Sequence, residues 1–313
     1  MKNRRSLALP ILTVSCILAA GAFLATYRSE LPLADLVRKY TNENSQFVDV
    51  LGMRVHYRFE GSGEQVLLLL HGIGASLHTW DGWIQPLEND VRILRVDMPG
   101  FGLTGPAPDG DYSVQNYVAF IDRFLDTIGV QVVDIAGNSL GGQVAWNYAL
   151  RHPARVRRLV LIDAAGYPRE DDRSSASILQ LARLPGVRDL LTVLTPRSLI
   201  ADSLAEVYGD PSRLSDETVD RYFELARRPG NRRAFVERAA ASAADENGDH
   251  RLLRLPVLIL WGAEDRWIPL AHGRGFKDDI EDSRLIVYPG VGHLPMEELP
   301  GPTARAALTF LRP

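Results

Sequence analysis

The stretch Val133-Asp134-Ile135-Ala136-Gly137-Asn138-Ser139-Leu140-Gly141-Gly142 decides the reading of this chain. It sets a Gly-x-Ser-x-Gly pentapeptide between an apolar strand pattern and the start of a helical one, and so nominates Ser139 as a nucleophile. A serine hydroxyl is a weak nucleophile. It must be held on a sharp turn, clear of neighbouring side chains, with a base and hydrogen-bond donors within reach. Gly137 and Gly141 permit such a turn, because side chains there would crowd the strand and the first helical turn. Taken alone, the pentapeptide also fits a Gly-rich strand-to-helix turn in which Ser139 is only an N-cap.

On either side of this stretch the chain alternates strands and helices. Residues 47–50 and 53–57 alternate around Leu51-Gly52, as a hairpin does. Residues 66–70, 91–96, 156–162, 256–262 and 284–288 are apolar runs with little alternation, as expected for parallel strands covered on both faces. Helical patterns cover about 113–128, 140–150 and 302–311. Strand-helix alternation implies an α/β fold with a mostly parallel sheet. Between 167 and 250 the pattern changes to Arg-, Leu-, Ala- and Glu-rich segments parted by Pro185-Gly186, Pro196, Gly209-Asp210-Pro211 and Pro229-Gly230. The expected organisation is a core in two parts, 47–166 and 251–313, with a helical lid at 167–250. Residues 29–46 read as a polar tether or short amphipathic helix.

The elbow in this context resembles that of the α/β-hydrolase superfamily, serine-nucleophile branch, and the likeness extends over roughly residues 47–312. That family's order is nucleophile, acid, histidine. Gly262-Ala263-Glu264-Asp265-Arg266 and Gly290-Val291-Gly292-His293 follow two of the strands in that order. The resemblance implies Asp265 as orienting acid and His293 as general base and acid. Glu264 is a minor rival for the acid, and Asp163, just after the strand at 156–162, is a stronger one. It also implies an oxyanion hole from the backbone N–H groups of Ile73, in His71-Gly72-Ile73-Gly74, and of Leu140. Asp97-Met98-Pro99-Gly100-Phe101-Gly102 resembles the family's structural turn, with Phe101 a candidate pocket wall.

A serine at 139 excludes the branches that need a carboxylate nucleophile. The expected activity is hydrolysis of a small carboxylic ester or related carbonyl compound through an acyl-enzyme. The alternative is hydrolysis of a carbon–carbon bond in ring-fission-type diketones, which Gly137-Asn138-Ser139-Leu140-Gly141-Gly142 also resembles, although Leu294 and Pro295 follow His293 where those enzymes usually carry an aromatic residue. A third reading is a non-catalytic binding or receptor protein on the same fold.

Composition is that of an ordinary globular protein: 313 residues, 46% hydrophobic and 24% charged. The net charge of −4, from 35 basic and 39 acidic residues well mixed along the chain, gives no basic face for nucleic acid. No pair of histidines with a nearby carboxylate forms a metal pattern, and the lone cysteine excludes a zinc-cysteine set, so neither metal nor cofactor is expected. His56, His152 and His250 read as structural or exposed, with His78 and His272 as candidate pocket residues.

Lys2, Arg4 and Arg5 precede an apolar run over residues 7–25, long enough to cross a bilayer. The expectation is an N-terminal membrane anchor within 1–28 with the catalytic part on the exported, periplasmic or extracellular side. A cleaved signal peptide with secretion ranks second. Lipidation at Cys16 ranks third, since the run continues apolar beyond it.

Overall fold

The computed structural model describes residues 29–167, 177–184 and 186–312. Eight strands form one sheet: β1 (Ser45–Val50), β2 (Met53–Glu60), β3 (Val66–Leu70), β4 (Arg92–Val96), β5 (Val133–Asn138), β6 (Val156–Ile162), β7 (Val257–Gly262) and β8 (Ser283–Tyr288). Their spatial order is β1-β2-β4-β3-β5-β6-β7-β8. β2 pairs antiparallel with β1 and β4, and every pairing from β4 to β8 is parallel.

The apolar runs explain this arrangement. In β3, Leu68 and Leu70 enter one apolar cluster and Leu67 and Leu69 the other, so the strand is buried on both faces. The first face is covered by α3 (Val114–Thr127) and α4 (Leu140–Arg151), the second by α2 (Asp81–Leu87) and α12 (Pro300–Leu311). Ser113 Oγ caps α3 by accepting the Asn116 N–H, a contact worth about 1 kcal/mol. The second face carries Trp80 and Trp83, both fully buried, and Trp83 Nε1 donates to Thr303 of α12.

Register places the site. Leu70 pairs with Gly137, Asn138 with Ile162, and Ile162 with Leu260. Strands β3, β5, β6 and β7 therefore end in one layer, and the loops that leave them meet outside their C-terminal ends, where α/β sheets bind ligands.

Between β6 and β7 the chain makes α5 (Ser177–Arg183), α6 (Val187–Leu191), α7 (Arg197–Val207), α8 (Asp216–Ala226) and α9 (Asn231–Ala241). This insertion is tied down by Arg238, whose guanidinium meets Asp245 at 2.6 Å and donates to the Tyr112 carbonyl. The segment before the sheet is not a bare tether. It forms α1 (Leu33–Tyr40), which buries Leu36 and Tyr40 against Leu103 and Leu225, and β1 starts at Ser45, two residues earlier than the alternation suggests. The remaining helices are α10 (Leu270–Asp279) and the short α11 (Pro295–Glu298).

The membrane assignment is corrected. The apolar run at 7–25 lies outside the described residues, and among those described no helix is long and apolar enough to cross a membrane. The longest, α3, has 14 residues and rises about 21 Å, short of a hydrocarbon core of about 30 Å. The membrane-anchored placement is therefore withdrawn.

Candidate active site

Ser139 stands between the last residue of β5 and the first of α4, with φ 54° and ψ −118°. A left-handed φ costs a non-glycine residue about 1–2 kcal/mol, so the turn persists only where its surroundings over-determine it. Here they do. The Ser139 N–H donates to Ile162 O, and its carbonyl accepts from Gln143 and Ala165. Strand and helix press so closely that a Cβ at Gly137 would lie 2.6 Å from the Gly142 nitrogen, and one at Gly141 2.6 Å from the His71 oxygen. Both glycines are required by contact, as the sequence suggested.

His293 lies on the loop after β8 and Asp265 on the loop after β7. His293 Nδ1 donates to Asp265 Oδ2 at 2.7 Å, while Asp265 Oδ1 accepts the N–H groups of Trp267 and Ile268 at 2.8 and 2.9 Å. A carboxylate with three donors is fixed in place, and it fixes the imidazole as the Nδ1–H tautomer. The remaining nitrogen, His293 Nε2, is buried without a hydrogen-bond partner. The His293 N–H donates to Val207 O of the insertion, and Asn138 Nδ2 bridges the carbonyls of Ile162 and His293. Trp267 packs on the imidazole, ring centroids 5.5 Å apart.

Of the rival acids, Glu264 is exposed. Asp163 is fully buried, and its Oδ1 accepts the Gly262 N–H at 3.0 Å. The imidazole hydrogen bond goes to Asp265.

Gly72 backs directly onto the elbow: a Cβ there would meet Ser139 Cβ at 3.2 Å. This puts the Gly72-Ile73 backbone beside the serine, opposite the first N–H groups of α4, which have no intrahelical acceptor. His71 braces this loop, bonding Gly72 O through Nδ1 and accepting the Met98 N–H at Nε2. Burial lowers the basicity of His71, which suits the acceptor role.

Ser139, His293, Ile73 and Phe101 line one cavity, partly open to solvent. Its walls are largely apolar, with Ile178, Leu191, Ile200, Leu204 and Phe235 from the insertion and Trp267 and Leu294 from the core loops. Arg232, 8% exposed, is the arginine among the described lining residues, and its guanidinium donates to Val193 O. Neither His78 nor His272 lines it. His56 is instead paired with Asp97, and His250 with Asp279.

Sequence reasoning missed Trp267, Asn138 and Arg232 as parts of the site. Asn138 was within the quoted stretch, but its bridging role needs the β6 and β8 loops in place. Asp163, Asp265 and His293 also bring potential ligand atoms within 4.8 Å of one another, yet both Asp265 oxygens and His293 Nδ1 are already engaged in hydrogen bonds. Chemically the arrangement can take a proton from a serine, return it to a leaving group, and hold an oxyanion on backbone donors.

Comparisons with known proteins agree with this geometry. A family model described as alpha/beta hydrolase fold matches residues 65–300. A 2-hydroxy-6-oxo-2,4-heptadienoate hydrolase of Pseudomonas putida is 32% identical over 268 residues, 81% of this chain and 92% of that protein. Among solved structures, a meta-cleavage product hydrolase from Pseudomonas fluorescens has a TM-score of 0.74 at 26% identity, covering 85% of this chain and 96% of its own. A membrane phospholipase A has a TM-score of 0.75 at 25% identity, covering 97% of this chain and 98% of its own. With the family match running from β3 through the triad loops, this chain belongs to the α/β-hydrolase fold family.

Proposed function

We propose that the protein hydrolyses a carbon–carbon bond beside a ketone in a small ring-fission-type diketone acid, with Ser139 as nucleophile. The observation that carries this reading is the likeness to hydrolases of 2-hydroxy-6-oxo-dienoates, at up to 32% identity across most of the chain. The largely apolar walls support it, since they suit a substrate with an apolar body. Ser139 attacks the ketone as His293 Nε2 takes its proton. The tetrahedral oxyanion rests on the N–H groups of Ile73 and Leu140. Collapse breaks the carbon–carbon bond, the carbon leaving group takes the proton from His293, and water then frees the acid from Ser139, so that one water is consumed per bond broken. Asp265 orients and stabilises the imidazolium. The inserted helices, within residues 167–250, serve as the lid over a core made of 47–166 and 251–313, and set which substrate fits.

Hydrolysis of a carboxylic ester is the second reading, favoured by a specific observation: Leu294 and Pro295 follow His293, and the cavity walls are mostly apolar, as an acyl chain requires. The likeness to a phospholipase A points the same way. Side-by-side kcat/KM on a 2-hydroxy-6-oxo-dienoate and on p-nitrophenyl esters of graded chain length separates the two. Turnover of esters alone would overturn the carbon–carbon reading, and absence of covalent fluorophosphonate labelling at Ser139 in folded protein would overturn both in favour of a binding protein. Asp265→Asn is expected to lower kcat on the order of 10³–10⁴-fold with the fold intact, as loss of the orienting carboxylate does in serine hydrolases.

A further inference from the structure

Asp163 has no part in the chemistry above, although it is the buried acid nearest in sequence to the end of β6 and is 0% exposed. Its φ is 43°, a second strained residue beside the first at Ser139. Oδ1 accepts the Gly262 N–H, but no donor reaches the buried Oδ2. An ionised carboxylate would leave that oxygen charged, buried and without a donor, which is unfavourable. What it faces is Asp265: a carboxyl oxygen of each residue and a nitrogen of His293 all lie within 4.8 Å of one another.

Two ionised carboxylates this close and this buried repel each other, and one proton on the pair removes that repulsion. Asp265 has its oxygens filled by donors, two N–H groups on Oδ1 and the imidazole on Oδ2, which is the hydrogen bonding of an anion. The proton therefore belongs to Asp163. Burial, and then the charge of Asp265, raise the Asp163 carboxyl well above the usual carboxylate range, and the Gly262 N–H opposes them only in part. Of the other charged groups near it, Glu298, from α11, pushes in the same direction, and His293 is hydrogen-bonded to Asp265.

We propose that Asp163 is a positioning residue of the triad, holding the Asp265 carboxylate on His293 by donating a hydrogen bond from its own hydroxyl. This rests on the assignment of Ser139, His293 and Asp265 above. Asp163 is thus not the alternative acid that its place after β6 suggests, but the neutral member of a carboxylic acid–carboxylate pair. Asparagine reproduces that neutral member, since its oxygen can accept from Gly262, its amide can donate to Asp265, and it tolerates a positive φ. Glycine tolerates the backbone but supplies neither contact.

The test has two readouts. Infrared spectroscopy of the full chain at neutral pH is expected to show a buried protonated-carboxyl C=O band that Asp163→Asn removes. If no such band disappears, the proposal is overturned, whatever the substrate is. The second readout is the rate of Ser139 labelling by a fluorophosphonate as a function of pH, which needs no natural substrate. Asp163→Gly is expected to slow labelling by about 10–100-fold, the range seen when an outer-shell partner of a site is lost, and to move the acid limb of the profile. Asp163→Asn is expected to recover most of the rate with the limb at its original place. Equal rates and profiles for Asp163→Gly and the parent overturn the positioning role. A parent protein that shows the band but does not label at all would instead refute the triad assignment.

Discussion

Gly141 is the point at which the elbow is most tightly determined, and Gly141→Ala measures how much of the site depends on that contact. The added Cβ would lie 2.5 Å from the Leu70 carbonyl carbon and 2.6 Å from the His71 oxygen, and closer still to the Leu70 oxygen. All three atoms are backbone of β3 and its exit loop. A flexible side chain could swing away, but a central strand bonded on both edges to β4 and β5 cannot. Overpacking a core costs about 1–3 kcal/mol where neighbours can adjust, so the rigid case is expected at about 3 kcal/mol or more, a fall in Tm of about 6 °C or more. The same movement separates α4 from β3, taking the Leu140 N–H away from the Ile73 side of the site. Gly129→Ala is the comparison: nothing lies within 4 Å of the new Cβ, so only the backbone strain of its 74° φ, about 1 kcal/mol, is added. Thermal unfolding of both variants, with fluorophosphonate labelling of each, is the assay. A Gly141→Ala protein that melts within about 2 °C of the parent and labels at the parental rate would refute the argument from contact.

Two further outcomes follow from buried charge. His78, 7% exposed, has its basicity lowered to about 4 from 6.5, chiefly by burial. Between those values the unfolded chain binds a proton that the folded one does not, so stability is expected to fall as pH drops from 6.5 to 4, by up to about 3 kcal/mol. His78→Gln should flatten that slope in denaturant titrations taken across the window. Arg238→Ala leaves the Asp245 carboxylate, 3% exposed, without its partner at 2.6 Å, and is expected to cost about 3–5 kcal/mol in urea unfolding. A loss below 1 kcal/mol would show that the insertion is held by its apolar contacts alone.

The strands were legible in the sequence because a parallel strand buried on both faces must be apolar at every position, as 66–70 and 257–261 are. α10, over Leu270–Asp279, was not, since His272, Gly273, Arg274 and Gly275 interrupt its apolar periodicity and Gly273 is there to let Trp261 pack, a Cβ falling 2.6 Å from its ring. A short helix within 29–46 was one of the two readings of that segment, but where α1 packs was hidden. Leu36 and Tyr40 find their partners, Leu103 and Leu225, far along the chain.

By itself the sequence pointed to Ser139 as the candidate nucleophile and to the chain order of its candidate partners. A strained serine turn needs glycines at fixed spacing, and loops at successive strand ends carry their residues in chain order. It left the acid open between Asp163 and Asp265, because both end a strand in the same sheet layer and nothing local distinguishes them. Only the tertiary structure separates them, with His293 Nδ1 donating to Asp265 while Asp163 accepts the Gly262 N–H on Oδ1 and keeps Oδ2 unpartnered. The cavity was decided the same way: its walls come from the insertion and from loops after five different strands, and only the folded chain brings them to one place.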